Sequence, residues 1–269
     1  MISLSDLRRF KADGRKFSCL TCYDASMAKA MEIAEVDSIL IGDSLGMTIQ
    51  GHDSTLPVTV TDMAYHTAAV RRANQHAFIL TDLPFMSYAT LNDALQSART
   101  VMQAGAQMVK LEGGAWLAET VQVMTRNGIP VCVHLGLTPQ SVNVFGGYKL
   151  QARSRAAADQ LLADCKAVVE AGAALLLLEC VPAQLGKEVA ESFPEIPVIG
   201  IGAGVDTDGQ VLVVQDMLGL NFGHTAKFVR NFMKEQSGAN AILDAFKAYH
   251  AAVLDSSFPA PEHTFQVEL

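Results

Sequence analysis

Short apolar runs alternate with longer amphipathic stretches along the chain. The alternation predicts strands near residues 17–23, 38–43, 78–82, 107–112, 130–135, 174–179, 197–202 and 211–215. Several are apolar at consecutive positions, as in Ser38-Ile39-Leu40-Ile41, Phe78-Ile79-Leu80 and Leu175 to Leu178. Continuous apolarity over so few residues implies burial on both faces, the signature of a parallel sheet. Helical periodicity fills most gaps. It runs from Asp24, placed as an N-cap, to Glu35, then over Thr61–Arg72, Leu91–Ala104, Trp116–Asn127 and Arg155–Ala171. Gly105, Gly128 and Gly172 follow three of these helices, where helices commonly stop.

Strands alternating with helices form right-handed βαβ units, and eight of them favour a closed (β/α)8 TIM barrel over a doubly wound sheet. The 269 residues suit a single barrel domain over 1–255, with a tail over 256–269 that is loose or docked on a neighbour. Between strands seven and eight, Val205 to Gln210 is too short for a helix. Either the seventh helix is degenerate or the last strand is misplaced. Helices are predicted again over Lys227–Gln236 and Ala239–Leu254.

Composition narrows the function classes. A net charge of −8 without a Lys/Arg run argues against a nucleic-acid partner. The apolar runs are strand-sized, too short to span a membrane. The charged start, Met1 to Phe10, does not read as a secretion signal, so a cytoplasmic location is expected. Five cysteines make a disulfide framework unexpected. In Cys19-Leu20-Thr21-Cys22 the two thiols, three apart on a strand, face opposite sides, so buried small hydrophobes are expected rather than a zinc or redox pair.

Charge interrupts the buried runs in a consistent place. Asp43, Asp82, Glu112, His134 and Glu179 each end a run, and Lys110 lies two residues before Glu112. In a parallel barrel those ends share the face that carries active sites. Buried carboxylates in such number call for a cation or shared protons, and a hard divalent ion such as Mg²⁺ suits oxygen donors. Taken singly, each has a plainer reading. Asp43 could cap a helix, Lys110 and Glu112 could form an ion pair, and His134 could be a hydrogen-bonded core residue. Five on one face favour chemistry. The glycines of Gly200-Ile201-Gly202-Ala203-Gly204 fit backbone approach to an anion or close packing equally well, and Asp206 and Asp208 read as ordinary loop residues.

The chain resembles the ketopantoate (3-methyl-2-oxobutanoate) hydroxymethyltransferase family from about residue 2 to 265. The resemblance is carried by Thr21-Cys22-Tyr23-Asp24, Ile41-Gly42-Asp43-Ser44-Leu45-Gly46-Met47, Asp82-Leu83-Pro84-Phe85-Met86, Val109-Lys110-Leu111-Glu112-Gly113-Gly114, His134-Leu135-Gly136-Leu137-Thr138-Pro139-Gln140 and Leu178-Glu179-Cys180-Val181-Pro182. It implies a (β/α)8 barrel assembled as a homodecamer, using Mg²⁺ or another divalent ion, with 5,10-methylenetetrahydrofolate as co-substrate and 3-methyl-2-oxobutanoate as acceptor. By the same resemblance Asp43 and Asp82 are metal ligands and Glu112 a carboxylate at the metal. Ser44, Lys110 and His134 contact substrate with Asp43 and Asp82, and Glu179 is the general base. The sequence departs from the family at His224-Thr225-Ala226-Lys227-Phe228, where proline typically precedes the lysine. Rival readings on the same residues are a folate-free enolate enzyme of the isocitrate lyase or phosphoenolpyruvate mutase type, a Schiff-base aldolase using Lys110, and a catalytically silent barrel.

Overall fold

A computed structural model describes residues 1–223 and 225–267. Its eight strands close into one parallel barrel in sequence order, β1 to β8, with β1 also pairing β8. The strands are Phe17–Thr21 (β1), Ser38–Ile41 (β2), Phe78–Asp82 (β3), Met108–Glu112 (β4), Val131–Gly136 (β5), Leu175–Glu179 (β6), Val198–Ile201 (β7) and Gly209–Leu212 (β8). This is the (β/α)8 arrangement expected from the sequence. Helices Ala25–Ile33, Val60–Ala73, Leu91–Gln103, Ala118–Arg126, Arg155–Glu170 and Ala183–Ser192 follow β1 to β6. No described helix separates β7 from β8, so the seventh helix is missing rather than merely short. Asp24 caps its helix through Met27 N at 2.9 Å. Gly105, Gly128 and Gly172 all carry positive φ just past helix ends.

Alternation inside the strands explains both the core and the site. One face of each strand packs against the helices, with Leu20, Ile39, Ile79, Val109, Val133, Leu176 and Leu212 in that layer. The other face fills the barrel with Phe17, Cys19, Leu40, Phe78, Leu80, Met108, Cys132, Leu177 and Ile201. Cys19 and Cys22 fall in these two different clusters, on opposite sides of the strand. Burial pushes both thiols up to about 12, so neither is a ready thiolate.

Several expectations are corrected. β8 begins at Gly209, two residues before its predicted start, and the ring of Phe17 fills the space a Cβ at Gly209 would need. The predicted helix over residues 227–236 does not form. Phe232 N donates to Met217 O at 2.8 Å and Met233 N to Asn231 Oδ1 at 2.9 Å, so these amides are committed outside a helical ladder. The second predicted helix is present as Ala241–Leu254. A helix over Leu4–Ala12, not anticipated, is held by reciprocal bonds between Ser3 and Asp6. It places Lys11 Nζ on Asp208 Oδ2 at 2.8 Å and on the carbonyls of Ala190 and Ile196, each at 2.9 Å. Asp208 also accepts from Val198 N at 2.8 Å, so it is an anchor at the start of β7 rather than an ordinary loop residue. The tail folds back on its own barrel: Phe258 is buried against Phe232 and Tyr249, and Phe265 O accepts from Ala183 N. Of the tail, residues 268 and 269 lie outside the described residues, as does His224 of the departing segment. No described helix is long and apolar enough to cross a membrane.

Candidate active site

The inward column of each strand is apolar through the barrel and becomes ionisable at its carboxyl end. Phe78 and Leu80 lead to Asp82, Met108 to Lys110 and Glu112, Cys132 to His134, and Leu175 and Leu177 to Glu179. Register sets Asp82 beside Lys110 and Glu112 beside His134. Asp43 follows β2, and its backbone N–H donates to Asp82 Oδ2 at 3.0 Å. All seven residues singled out from the sequence, Asp43, Ser44, Asp82, Lys110, Glu112, His134 and Glu179, line one cavity of about 610 Å³.

The plainer readings fail for most of them. Asp43 caps no helix; the short helix after it is Leu45–Thr48, whose N-cap is Ser44 without a side-chain hydrogen bond. Ser44 Oγ instead pairs with the Tyr23 hydroxyl at 2.8 Å. Lys110 is more than half of a simple ion pair. Its Nζ lies 3.1 Å from Asp82 Oδ1, 3.5 Å from Glu112 Oε1 and 3.0 Å from His134 Nδ1. An ammonium can only donate, so His134 Nδ1 accepts and its proton sits on Nε2. That nitrogen faces Glu179 Oε2 at 3.3 Å, without the alignment of a full hydrogen bond. Glu179 is the most open ionisable member of the group, its side chain 14% exposed where Asp82, Lys110, Glu112 and His134 are at 2–4%.

Charge does not balance in this pocket. Asp43, Asp82 and Glu112 are three buried carboxylates against the single ammonium of Lys110, so with all three ionised two negative charges are left uncompensated. Burial, reinforced by the neighbouring carboxylates of Asp82 and Glu112, drives Asp43 well above the ordinary aspartate range. Asp82 is also raised by burial, against the pull of Lys110. Burial acts the same way on Glu112 and is the largest single influence there, but Lys110, His134 and the backbone N–H of Gln140 together outweigh it and the group is lowered. Lys110 is itself raised, because its three carboxylate neighbours overcome its burial. An amine nucleophile needs the opposite shift, which argues against the Schiff-base reading.

The surplus charge suits a divalent cation, and the donors suit Mg²⁺. Asp82 Oδ1 is buried without a hydrogen bond; its contact with Lys110 is off line. Asp43 and Asp82 are adjacent and border the cavity. Glu112 is differently placed: Oε1 faces Lys110 and His134, and Oε2 accepts from Gln140 N at 2.9 Å. Among the described residues, no group of three or more His, Cys, Asp or Glu is arranged to hold a metal unaided. Mg²⁺ does not require one, since it commonly takes one or two carboxylates and completes its shell with substrate and water.

Sequence reasoning assigned no role to Gln140, Tyr88 or the mouth residues. Gln140 is buried between Asp43 and Glu112. Tyr148, Phe228 and Phe265, with Lys149 and Lys227, border the outer cavity. The glycine run at the end of β7 serves packing. A Cβ at Gly200 would meet Thr207 Oγ1 at 2.6 Å and one at Gly204 would meet Ala183 Cβ at 2.7 Å.

Residues 1–261 match the model of the ketopantoate hydroxymethyltransferase family. The 3-methyl-2-oxobutanoate hydroxymethyltransferase of Acinetobacter baumannii strain AYE is 85% identical over the whole of both chains. That of Acinetobacter baylyi is 81% identical, again over both full lengths. The Psychrobacter arcticus enzyme of the same name is 60% identical over 98% of this chain and 100% of its own. Among solved structures, phosphonopyruvate hydrolase superposes with a TM-score of 0.63 at 14% identity, covering 82% of this chain and 84% of that one. A 2,3-dimethylmalate lyase of the PEP mutase/isocitrate lyase superfamily gives 0.59 at 15% identity, with the same coverage. At such identities the likeness is one of fold alone.

Proposed function

Since the chain belongs to the ketopantoate hydroxymethyltransferase family, and is an enzyme of that activity in pantothenate synthesis, we propose that it is Mg²⁺-dependent and takes its one-carbon unit from 5,10-methylenetetrahydrofolate. The acceptor is 3-methyl-2-oxobutanoate and the product 2-dehydropantoate. The observation that carries the metal reading is the charge deficit of the pocket: three buried carboxylates against one ammonium, at the base of a cavity open to substrate.

In this reading Asp43 and Asp82 hold the ion, with Glu112 behind them. An ion held there would supply Lewis-acid polarisation of the oxo acid's ketone, and with it a more acidic C3 proton. Glu179, the most open carboxylate of the group, receives that proton. His134 Nε2–H faces the same carboxylate and steadies it. Lys110, fixed by Asp82, Glu112 and His134, contributes positive charge beside the developing enolate in a water-poor pocket. Ser44, tied to Tyr23, is the hydroxyl nearest Asp43 in sequence and offers a contact to the substrate. The enolate carbon then takes the one-carbon unit, one water is consumed and tetrahydrofolate is released.

A cavity of about 610 Å³ is in the range that holds drug-sized ligands and leaves room beyond a five-carbon acid. Aromatic Tyr148, Phe228 and Phe265 suit a flat pterin, and Lys149 and Lys227 suit the carboxylates of its glutamate tail. A cytoplasmic homodecamer belongs to the same proposal and rests on the resemblance. The test is turnover of 3-methyl-2-oxobutanoate with and without folate and Mg²⁺. Product is expected only when all three are present. Product without the folate refutes the donor assignment and favours the folate-free enolate alternative; product undiminished in a chelator refutes the metal.

A further inference from the structure

Gln140 lies in the single turn Pro139–Ser141 that follows β5, and it is buried. Its side chain and backbone tie three segments of the site together. Nε2 donates to Asp43 Oδ2 at 2.8 Å and to Leu83 O at 2.9 Å. Backbone N–H donates to Glu112 Oε2 at 2.9 Å. Oε1 receives the Tyr88 hydroxyl at 2.5 Å.

The direction of each bond follows from donor and acceptor chemistry. A primary amide has two N–H donors and one carbonyl. Leu83 O and an ionised Asp43 can only accept, so the NH₂ group must face them. Tyr88 has one proton, and its short contact is with Gln140 Oε1. Its remaining neighbours, Glu112 N and Glu112 O, are both at 3.3 Å. With Tyr88 donating to Oε1, its oxygen is left to accept from Glu112 N–H. A flipped amide would set its carbonyl against Asp43 Oδ2 and Leu83 O and leave the Tyr88 proton only the longer contact to Glu112 O at 3.3 Å. Tyr88 therefore fixes the amide, and the amide fixes one oxygen of Asp43, leaving the other for the cavity that Asp43 lines. The same residue pins Glu112 Oε2 from the backbone, so one turn of chain sets the positions of two carboxylates, one just past β2 and one at the end of β4.

We propose that Gln140, aimed by Tyr88, is a positioning residue that orients Asp43 for a divalent cation and holds Glu112 behind it. This rests on the cation reading above. A leucine or methionine would fill the same space at least as well, yet the site carries an amide with every polar atom engaged. Partners of ligating groups commonly contribute 10- to 100-fold to metal affinity, roughly.

The test is Mg²⁺ binding by calorimetry to the wild type, Gln140→Leu, Tyr88→Phe and the double variant, with melting temperatures measured in parallel. Gln140→Leu is expected to weaken Mg²⁺ binding about 10- to 100-fold. Tyr88→Phe is expected to weaken it less, and to add nothing to the affinity loss in the Gln140→Leu background. A general loss of packing would instead lower melting temperature and leave Mg²⁺ affinity of the folded protein unchanged. Wild-type affinity in both single variants, or additive losses in the double variant, overturns the proposal. Tyr88→Phe removes only a hydroxyl, so it keeps the test decisive if Gln140→Leu does not fold. A wild type that fails to bind Mg²⁺ overturns the cation reading itself, and with it the role of Gln140.

Discussion

Replacing Lys110 by Met keeps most of the side-chain volume and removes the charge that partly balances the pocket. The ammonium lies 3.1 Å from Asp82 and 3.5 Å from Glu112. At an effective dielectric constant of about 20, each contact is worth roughly 5 kcal/mol of attraction, much of it offset by the cost of burying the ions. Breaking such a buried pair typically costs about 3–5 kcal/mol, because the carboxylates stay behind without their partner. In a domain of this size each kcal/mol lowers Tm by about 2–4 °C, so a fall of roughly 10 °C is expected. The pH dependence has a definite sign. Lys110 has a raised folded pKa, so its contribution is complete below the unfolded value of 10.5 and is intact at neutral pH. In the variant, Asp43 and Asp82, already raised by burial, lose the cation that opposed the rise. The folded state then holds protons that the unfolded chain releases near about pH 3.9. Stability falls as pH rises from there through the raised values, so the deficit against wild type widens toward neutral pH and narrows toward acid. Added Mg²⁺ also narrows it, by supplying positive charge to the same carboxylates. Calorimetric melts at mildly acidic and neutral pH, with and without Mg²⁺, read all three effects. An unchanged Tm, or a deficit that grows toward acid, refutes the electrostatic reasoning.

Two further outcomes follow from local geometry. Phe265→Ala removes an aromatic wall of the outer cavity and is expected to raise KM for the folate about tenfold while sparing KM for the oxo acid, consistent with about 0.5–1.5 kcal/mol of ring contact plus lost apolar burial. Equal changes in both constants contradict the division of the cavity. At Gly136, φ is +88° and a Cβ would come within 2.4 Å of Glu179 O. Gly136→Ala should therefore lower Tm by several degrees, from about 1–2 kcal/mol of backbone strain and the added clash, and should lower kcat by displacing Glu179. Wild-type behaviour in both melting and turnover contradicts that placement.

The strands and the acid cluster were legible because both arise from one physical constraint. A parallel barrel buries both faces of each strand, so Phe78-Ile79-Leu80 and Leu175 to Leu178 read as unbroken apolar runs and an ionisable residue ending them stands out. Gln140 was not legible. It is uncharged, sits in a turn, and interrupts no periodic pattern, so only its three-dimensional partners mark it. The N-terminal helix escaped notice although Ser3 and Asp6 have the spacing of reciprocal caps, because Asp replaces the usual Glu or Gln. The segment 227–236 misled for the opposite reason: its apolar spacing is helical, but its amides find partners elsewhere in the fold. The start of β8 was hidden by Gly209, a residue with little strand preference that is needed where Phe17 fills the barrel.

Exchange of the C3 hydrogen isolates the step on which the mechanism turns. With deuterium at C3 of 3-methyl-2-oxobutanoate and no folate present, wild-type protein should wash the label into water in a Mg²⁺-dependent manner. Glu179→Gln should slow that loss by roughly 10² to 10⁴ while substrate binding persists. Exchange that proceeds equally without the cation, or equally fast in the glutamine variant, would contradict the assignment of metal-assisted proton removal to this cluster.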